Sequence, residues 1–375
     1  MNLLEVAVDV PINKTFTYLP LLNTNPNDLI GKRVKVPFGK KILNGYVLSV
    51  VCTPCGGSPA EQERGVPRSA PLPFSKDIDE KQIYIRPPFP PFRRTSPARG
   101  ADSQISLFDE APSHKLKRIL EVIDDQPVIS SESVRLAQYI SQNYICSIGE
   151  ALSCVAACSM QKPKREQKRE KRKEKRENTA SQSAPLPSFL SPLSSFLSPH
   201  ILTPHQQSAF NKISRAISSN ENKNFLLHGV TASGKTEVYI RSIEYALEQG
   251  KSAIMLIPEI SLIAQFSDTV LKRFGSAAGL WHSHISNIDK YNLFYGALNG
   301  QIKVMLGARS AIFAPFKNLG LIIIDEEHEH TYKQEQKPSY DCREIAFWRA
   351  QEHNACVILG SATPSLETYF NAIRH

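Results

Sequence analysis

The chain has 375 residues and is 41% hydrophobic, enough for two or three soluble domains with cores of their own. No apolar run approaches the ~20 residues a membrane span needs, and the N-terminus has early acids and no basic n-region, so no secretory signal is expected. Seven scattered cysteines do not suit a disulfide framework, which makes a reducing cytoplasm the expected compartment. Of the net charge of +9, the tract Lys162 to Glu177 supplies +6, with ten Lys/Arg against four Glu. The folded parts are therefore only modestly basic. The tract reads either as a solvated spacer or as a salt-sensitive contact to nucleic acid.

Residues 1 to about 51 predict a small β-rich sheet or barrel-like module. Val6, Val8 and Val10 alternate with polar or small residues, and Thr15–Leu19, Arg33–Pro37 and Asn44–Val51 supply further strands punctuated by glycines. Residues 52–113 turn rich in Pro, Ser, Gly and Arg and are expected to be a disordered insertion. Order resumes at Lys115–Ile123, and Ser131 to about Tyr144 predicts an amphipathic helix. A basic, low-complexity linker occupies 159–200.

From 201 to 375 strands alternate with helices. Phe225–Leu227, Ala253–Ile257, Lys303–Leu306, Leu321–Ile324 and Cys356–Leu359 are short and apolar throughout, as strands of a parallel sheet covered on both faces should be. Ligands of such α/β sheets bind beyond the carboxyl ends of the strands. There stand Gly229, Val230, Thr231, Ala232, Ser233, Gly234, Lys235 and Thr236, which fit the phosphate loop G-x-x-x-x-G-K-[ST] between a predicted strand and a predicted helix. Without that strand and helix, the same residues would read as a Gly-Ser turn. Backbone amides would cradle phosphate, Lys235 would reach the β- and γ-phosphates, and Thr236 would bind Mg²⁺. Asp325 and Glu326 end a second buried strand; Asp325 would hold Mg²⁺ through water, and Glu326 would orient and deprotonate an attacking water. Gly360–Pro364 ends a third, placing Ser361 and Thr363 near His328 and the acids. Cys52-x-x-Cys55 lacks a paired partner motif, so no zinc is expected in this chain.

These motifs, with Leu256–Gln265, Trp281–Ser283 and the Gly307–Phe316 segment containing Arg309, resemble the PriA family of primosomal replication-restart DNA helicases of superfamily 2. Tyr332, Lys333, Tyr340 and Arg343 look like that family's aromatic-rich loop, which couples DNA contact to ATP hydrolysis. The two tyrosines are expected to offer stacking faces and the two cations charge. Leu202–Gln206 matches the segment in which Gln206 would read adenine. Val8–Tyr18, containing Phe16, Thr17 and Tyr18, together with Gly31–Gly39 and Lys117, resembles the family's 3′-DNA-end-binding domain. Lys117 falls where that domain places a pocket lysine.

The resemblance implies a RecA-like P-loop NTPase lobe at 201–375, preceded by a small β-rich DNA-binding domain at 1–158. ATP and Mg²⁺ are the implied cofactors and His328 joins the implied catalytic set. The implied activity is ATP-driven 3′→5′ DNA unwinding at stalled forks with primosome assembly. DNA forks, single strands and 3′ ends, single-stranded-DNA-binding protein and primosome proteins are the implied partners. A non-catalytic fork-binding fragment and a superfamily 2 translocase outside replication restart are the alternatives. Thr17 stands where some members carry aspartate, Ser339 where arginine is frequent and Ala232 where glycine is frequent. The family's second lobe, its zinc module and its arginine finger are expected beyond His375, so this polypeptide alone is expected to hydrolyse ATP slowly.

Overall fold

The computed structural model describes residues 2–52, 116–156, 201–230, 232–258 and 260–374, with backbone alone at 52 and 260–266. Apart from Cys52, the expected insertion at 52–113 lies outside those residues, as do Cys55 and the linker at 159–200. Strands β1 (Asn2–Val8), β2 (Thr15–Tyr18), β3 (Arg33–Phe38), β4 (Lys41–Cys52) and β5 (Glu121–Val122) form an antiparallel sheet in the order β2-β1-β4-β3-β5. Leu19, just past β2, bridges to Arg118, just before β5. The two edges of the sheet therefore meet, and the barrel-like closure removes the edge that would otherwise template aggregation. Arg33 grips Asp124 through Nε at 2.9 Å and Nη2 at 2.6 Å, both residues buried. That ion pair ties β3 to the segment following β5.

β1 departs from the simple alternation read in the sequence. Leu3 and Ala7 are buried as well as Leu4, Val6 and Val8. The second face is covered by α1 (Ser131–Asn143) and α2 (Ile148–Val155), which pack with Ala7 and Tyr46 in one apolar cluster. α1 ends one residue short of the expected Tyr144, which serves as its C-cap. α2 starts at a reciprocal capping box between Ser147 and Glu150. The Ser147 hydroxyl also donates to Val10 O at 2.6 Å, and a Cβ on Gly149 would fall 1.8 Å from Val8 O. Only glycine lets α2 approach β1 so closely.

The remainder is a six-stranded parallel sheet, in the order β6-β13-β10-β7-β9-β8. Its elements are α3 (Pro204–Ser218), β6 (Asn224–His228), α4 (Lys235–Glu248), β7 (Ser252–Leu256), α5 (Ile260–Phe274), β8 (Ala278–Trp281), α6 (Asn287–Leu298), β9 (Val304–Gly307), β10 (Leu319–Ile324), α7 (Cys342–His353), β13 (Cys356–Ser361) and α8 (Leu366–Arg374). A two-stranded ribbon, β11 (Lys333–Gln334) with β12 (Tyr340–Asp341), leads into α7. The five strands expected from the sequence are present; β8 is an addition.

Side chains alternate between two cores. Met255, Leu321, Ile323 and Ile358 face α3 and α4, whereas Ile254, Ile322, Ile324 and Val357 face the side of α6 and α7. The second cluster continues without a break into Leu136, Ile140 and Leu152 of α1 and α2. The β module is thus docked on the parallel-sheet lobe through a shared apolar core. No helix among the described residues is long and apolar enough to cross a membrane.

Candidate functional site

Strands β6, β13 and β10 lie side by side, so the loops leaving their carboxyl ends share one rim. Gly234 takes φ 79 and caps α4, a left-handed turn that glycine adopts freely. Lys235 Nζ donates to Gly229 O at 2.8 Å and lies 3.6 Å from Glu326 Oε1. The phosphate loop and the strand-tip acids therefore face one another across a single gap. Thr236 follows Lys235 in the first turn of α4, and Val230 is exposed on the loop. Thr231 lies outside the described residues.

Gln206 binds the loop from the other side. Its Oε1 accepts from Thr203 N at 2.9 Å, closing the N-terminal cap of α3, and its Nε2 donates to Ser233 O at 2.9 Å. A Cβ on Gly234 would stand 2.3 Å from Gln206 Nε2. Gly234 is favoured by its left-handed φ, and the atom nearest its missing Cβ is the movable amide end of Gln206. Ala232 adopts φ 63, where an L side chain is strained.

Asp325 N donates to Leu256 O at 3.0 Å, which carries the sheet one residue past β10. Its carboxylate, nearly buried, accepts the Tyr239 hydroxyl at 3.0 Å. Tyr239 sits one helical turn after Lys235, so lysine and phenol project from one face of α4. Burial pushes the Asp325 carboxyl above its ordinary range; the Tyr239 hydrogen bond opposes this and neighbouring Glu326 adds to it. A Cβ on Gly360 would fall 1.6 Å from the Tyr239 hydroxyl oxygen, so glycine in β13 is what makes room for the phenol.

Glu326 itself adopts φ 46, an unusual conformation for a residue with a side chain and one that surrounding contacts must hold. The peptides on both sides are pinned. Tyr332 donates its hydroxyl to Asp325 O at 2.5 Å, and Arg343 Nη1 donates to Glu327 O at 3.0 Å. Glu327 N donates to Gly360 O at 2.9 Å. The Glu327 carboxylate is buried and accepts from Ser365 N at 2.7 Å and Thr368 Oγ1 at 3.1 Å. His328 Nδ1 is 2.9 Å from Ser361 Oγ and 3.7 Å from Glu326 Oε2, and Thr363 N donates to Ser361 Oγ at 3.0 Å. The His328–Ser361–acid contact expected from the sequence is part of this geometry.

The aromatic segment is different from the expectation. Tyr332 and Tyr340 are 0% and 1% exposed, so neither ring presents a stacking face. Tyr332 is a brace beneath the acids, donating to Leu256 O as well as Asp325 O. Tyr340 packs edge-on against Phe313, with centroids 5.1 Å apart. Tyr332 ends the short turn His330–Tyr332, where its hydroxyl is taken up by the carbonyls at the tips of β7 and β10, and Tyr340 lies on β12 with its ring against Phe313. Lys333 is exposed. Arg343 is held by Asp341 in a two-pronged ion pair, and Arg309 Nη1 reaches Thr331 O at 3.4 Å and Lys333 O at 3.3 Å.

In the β module, Phe16 packs edge-on against Phe38 at 5.0 Å, and Tyr18 is buried with its hydroxyl 3.5 Å from Pro37 O. Thr17 is exposed between them on β2. Gly39 opens the two-residue turn between β3 and β4 at φ 57, as such hairpins require. Lys117 is exposed, and its carbonyl accepts from Leu19 N at 2.8 Å. Phe16, Tyr18, Gly39 and Lys117 thus gather around the closure of the barrel. A separate cleft of about 420 Å³, lined by Ser153, Trp281, His282, Lys290, Ser310 and Gln334 among others, lies between α2 and the lobe and includes none of the phosphate-loop or acid residues.

A DEAD/DEAH box helicase family profile matches residues 203–371, and a 3′DNA-binding domain profile matches 5–61 and 91–157. The parallel sheet is accordingly a RecA-like helicase lobe and the closed β module a 3′DNA-binding domain. The replication restart protein PriA of Treponema pallidum is 32% identical over 372 residues, covering 99% of this chain and 45% of that protein. The PriA of Bacillus subtilis is 52% identical over 171 residues, covering 46% of this chain and 21% of that protein. The chain belongs to the family of the replication restart protein PriA, and it spans less than half the length of these relatives. A crystal structure of the Pyrococcus furiosus Hef helicase domain is 17% identical and covers 45% of this chain and 35% of its own, at a TM-score of 0.33; so loose a likeness carries no weight.

Tyr239, Glu327 and the pins on Glu326 were not singled out in the sequence. Tyr239 had one signal, its position four residues after Lys235, one helical turn on from the phosphate-loop lysine. Glu327 stood in view within Asp325–His328 but could not be separated from its neighbours without knowing which carboxylate turns inward.

Proposed function

We propose that the chain is the end-binding and ATP-binding part of an ATP-dependent 3′→5′ DNA helicase that recognises stalled forks and drives primosome assembly. The observation that carries this is the shared gap, in which Lys235 and Glu326 stand 3.6 Å apart, on a lobe docked against a 3′DNA-binding module. In this reading Lys235 and the loop residues Gly229 to Thr236 hold the triphosphate, and Gln206 contacts adenine. The residues fit a Mg²⁺–nucleotide: a buried Asp325 with a raised pKa beside a second acid is an arrangement that a divalent cation relieves. Thr236 and Asp325 would hold that ion, which supplies charge neutralisation at the phosphates. Glu326 orients and deprotonates the attacking water, and His328 with Ser361 fixes its side chain.

Phe16, Thr17, Gly39 and Lys117 form the candidate surface for a DNA 3′ end, with the buried Tyr18 supporting β2 from within rather than facing DNA. Lys333 is the candidate phosphate contact on the lobe, with Arg309 and Arg343 shaping the segment that carries it. Single-stranded-DNA-binding protein and primosome proteins are the proposed partners and the cytoplasm the proposed compartment. The test is Lys235→Ala in the complete polypeptide: DNA-stimulated ATP hydrolysis should vanish while fork affinity stays within a few-fold. Loss of both together would refute separate nucleotide and DNA sites.

A further inference from the structure

Helix α1 of the DNA-binding module lies antiparallel along α7 of the helicase lobe and is fastened at both ends. At one end Glu132 accepts from Arg349 Nε at 2.9 Å, and Arg135 Nη2 meets Glu352 at 2.5 Å. Tyr139 stacks at a tilt on Trp348 midway, with centroids 5.9 Å apart. At the other end the Tyr144 hydroxyl donates to Glu344 Oε2 and accepts from Asp341 N at 3.2 Å. Arg349 is anchored in the lobe through Ile312 O and Ala314 O.

The Tyr144 end touches the candidate chemistry. Asp341, whose backbone Tyr144 holds, caps α7 by accepting from Arg343 N at 2.9 Å and grips the Arg343 guanidinium at 2.7 Å and 3.0 Å. That guanidinium donates to Glu327 O, the carbonyl one residue beyond the left-handed Glu326. Every link is a hydrogen bond between half-buried or buried groups. A shift of α1 against α7 would therefore reach Glu327, the residue next to the left-handed Glu326, through Asp341 and Arg343.

We infer that Tyr144 is a positioning residue that couples DNA-end occupancy of the β module to the orientation of Glu326, through Asp341, Arg343 and Glu327 O. The inference rests on the function proposed above. It assigns no chemistry to Tyr144; its hydroxyl acts only through the segment it holds.

The test uses the complete polypeptide and forked DNA of one sequence, with either a free 3′ hydroxyl or a blocked 3′ phosphate at the end presented to the β module. Steady-state ATP turnover at saturating DNA is read as the ratio of free to blocked end. The unaltered protein should show a ratio of about fivefold or more, the size of an ordinary coupling. Tyr144→Phe and Glu344→Ala should bring it to unity, while Glu344→Gln, which keeps an acceptor for the phenol, should retain it. An unchanged ratio in Tyr144→Phe overturns the coupling. So does an equal loss of turnover with both DNAs, the signature of a merely structural role, and so does a ratio of unity in the unaltered protein. If the unaltered protein shows no DNA-stimulated hydrolysis at all, the proposed function falls as well.

Discussion

Tyr239 donates its hydroxyl to Asp325 Oδ1 at 3.0 Å, joining the helix that begins at the phosphate-loop lysine to the strand that ends in the acids. Both groups are almost wholly buried, so the bond fixes the carboxylate with no competing water. Tyr239→Phe should leave the fold intact and weaken Mg²⁺-dependent nucleotide binding about tenfold, the usual effect of losing a group that orients a metal-binding carboxylate. Titration of a fluorescent ATP analogue against Mg²⁺ checks this. Gly360→Ala should act through the same phenol, because its Cβ would displace the hydroxyl. An unchanged Mg²⁺ dependence in both variants would show that Asp325 needs no such support.

Glu326 carries the proposed general base, and Lys235 is its nearest cation at 3.6 Å. Glu326→Gln preserves shape and removes the charge. Turnover in the complete polypeptide should fall by about 10²–10⁴, the range for a positioned general base, while affinity for a non-hydrolysable analogue holds or rises. Turnover within threefold of the unaltered protein would move the base elsewhere, with Glu327 excluded by its two internal hydrogen bonds.

What the sequence displayed and what it hid divide along range. The phosphate loop, the Asp325–Glu326 tip and the five expected strands of the lobe are local patterns, and each stands within a residue or two of its expected place. β8 escaped because Ala278 and Gly279 give a four-residue edge strand little apolar signal; Gly279 is small there because a Cβ would meet Leu293 at 2.7 Å. α2 is legible through Ser147-x-x-Glu150, a capping box at its start. The inward turn of Tyr332 and Tyr340 depends on where β10 and β7 end, which no window around those residues contains. The same holds for Tyr144, whose partners lie about 200 positions away.

Ala232 holds φ 63 in the phosphate loop. Left-handed backbone strains an alanine by roughly 1–2 kcal/mol, against the 0.5–1 kcal/mol of extra chain entropy that glycine loses on folding. Ala232→Gly should therefore stabilise the nucleotide-free protein by about 0.5 kcal/mol, seen as a higher denaturant midpoint at unchanged slope. A lower midpoint would mean that the loop relaxes to a right-handed turn when empty.

Acid should loosen the joint between the two modules before either core melts. Burial alone pushes the Glu132 carboxyl up, but the Arg349 charge and His353 outweigh it and bring it down from 4.5 to about 2. His353 Nε2 stands 3.0 Å from the Glu132 carboxylate, though outside hydrogen-bond alignment; Arg135 and Glu352 pair beside them. Because the folded value lies below the unfolded one, the stabilisation is fully present above pH 4.5 and drains away as pH falls toward about 2. Its size is roughly 3 kcal/mol. Glu132→Gln should flatten this part of the stability–pH curve and, by leaving buried Arg349 without its carboxylate, destabilise the neutral-pH protein by about 3 kcal/mol. Parallel pH-dependent melts of the two proteins decide it: curves that stay a constant distance apart from pH 7 to pH 3 would show that the Glu132–Arg349 contact does not hold α1 to α7.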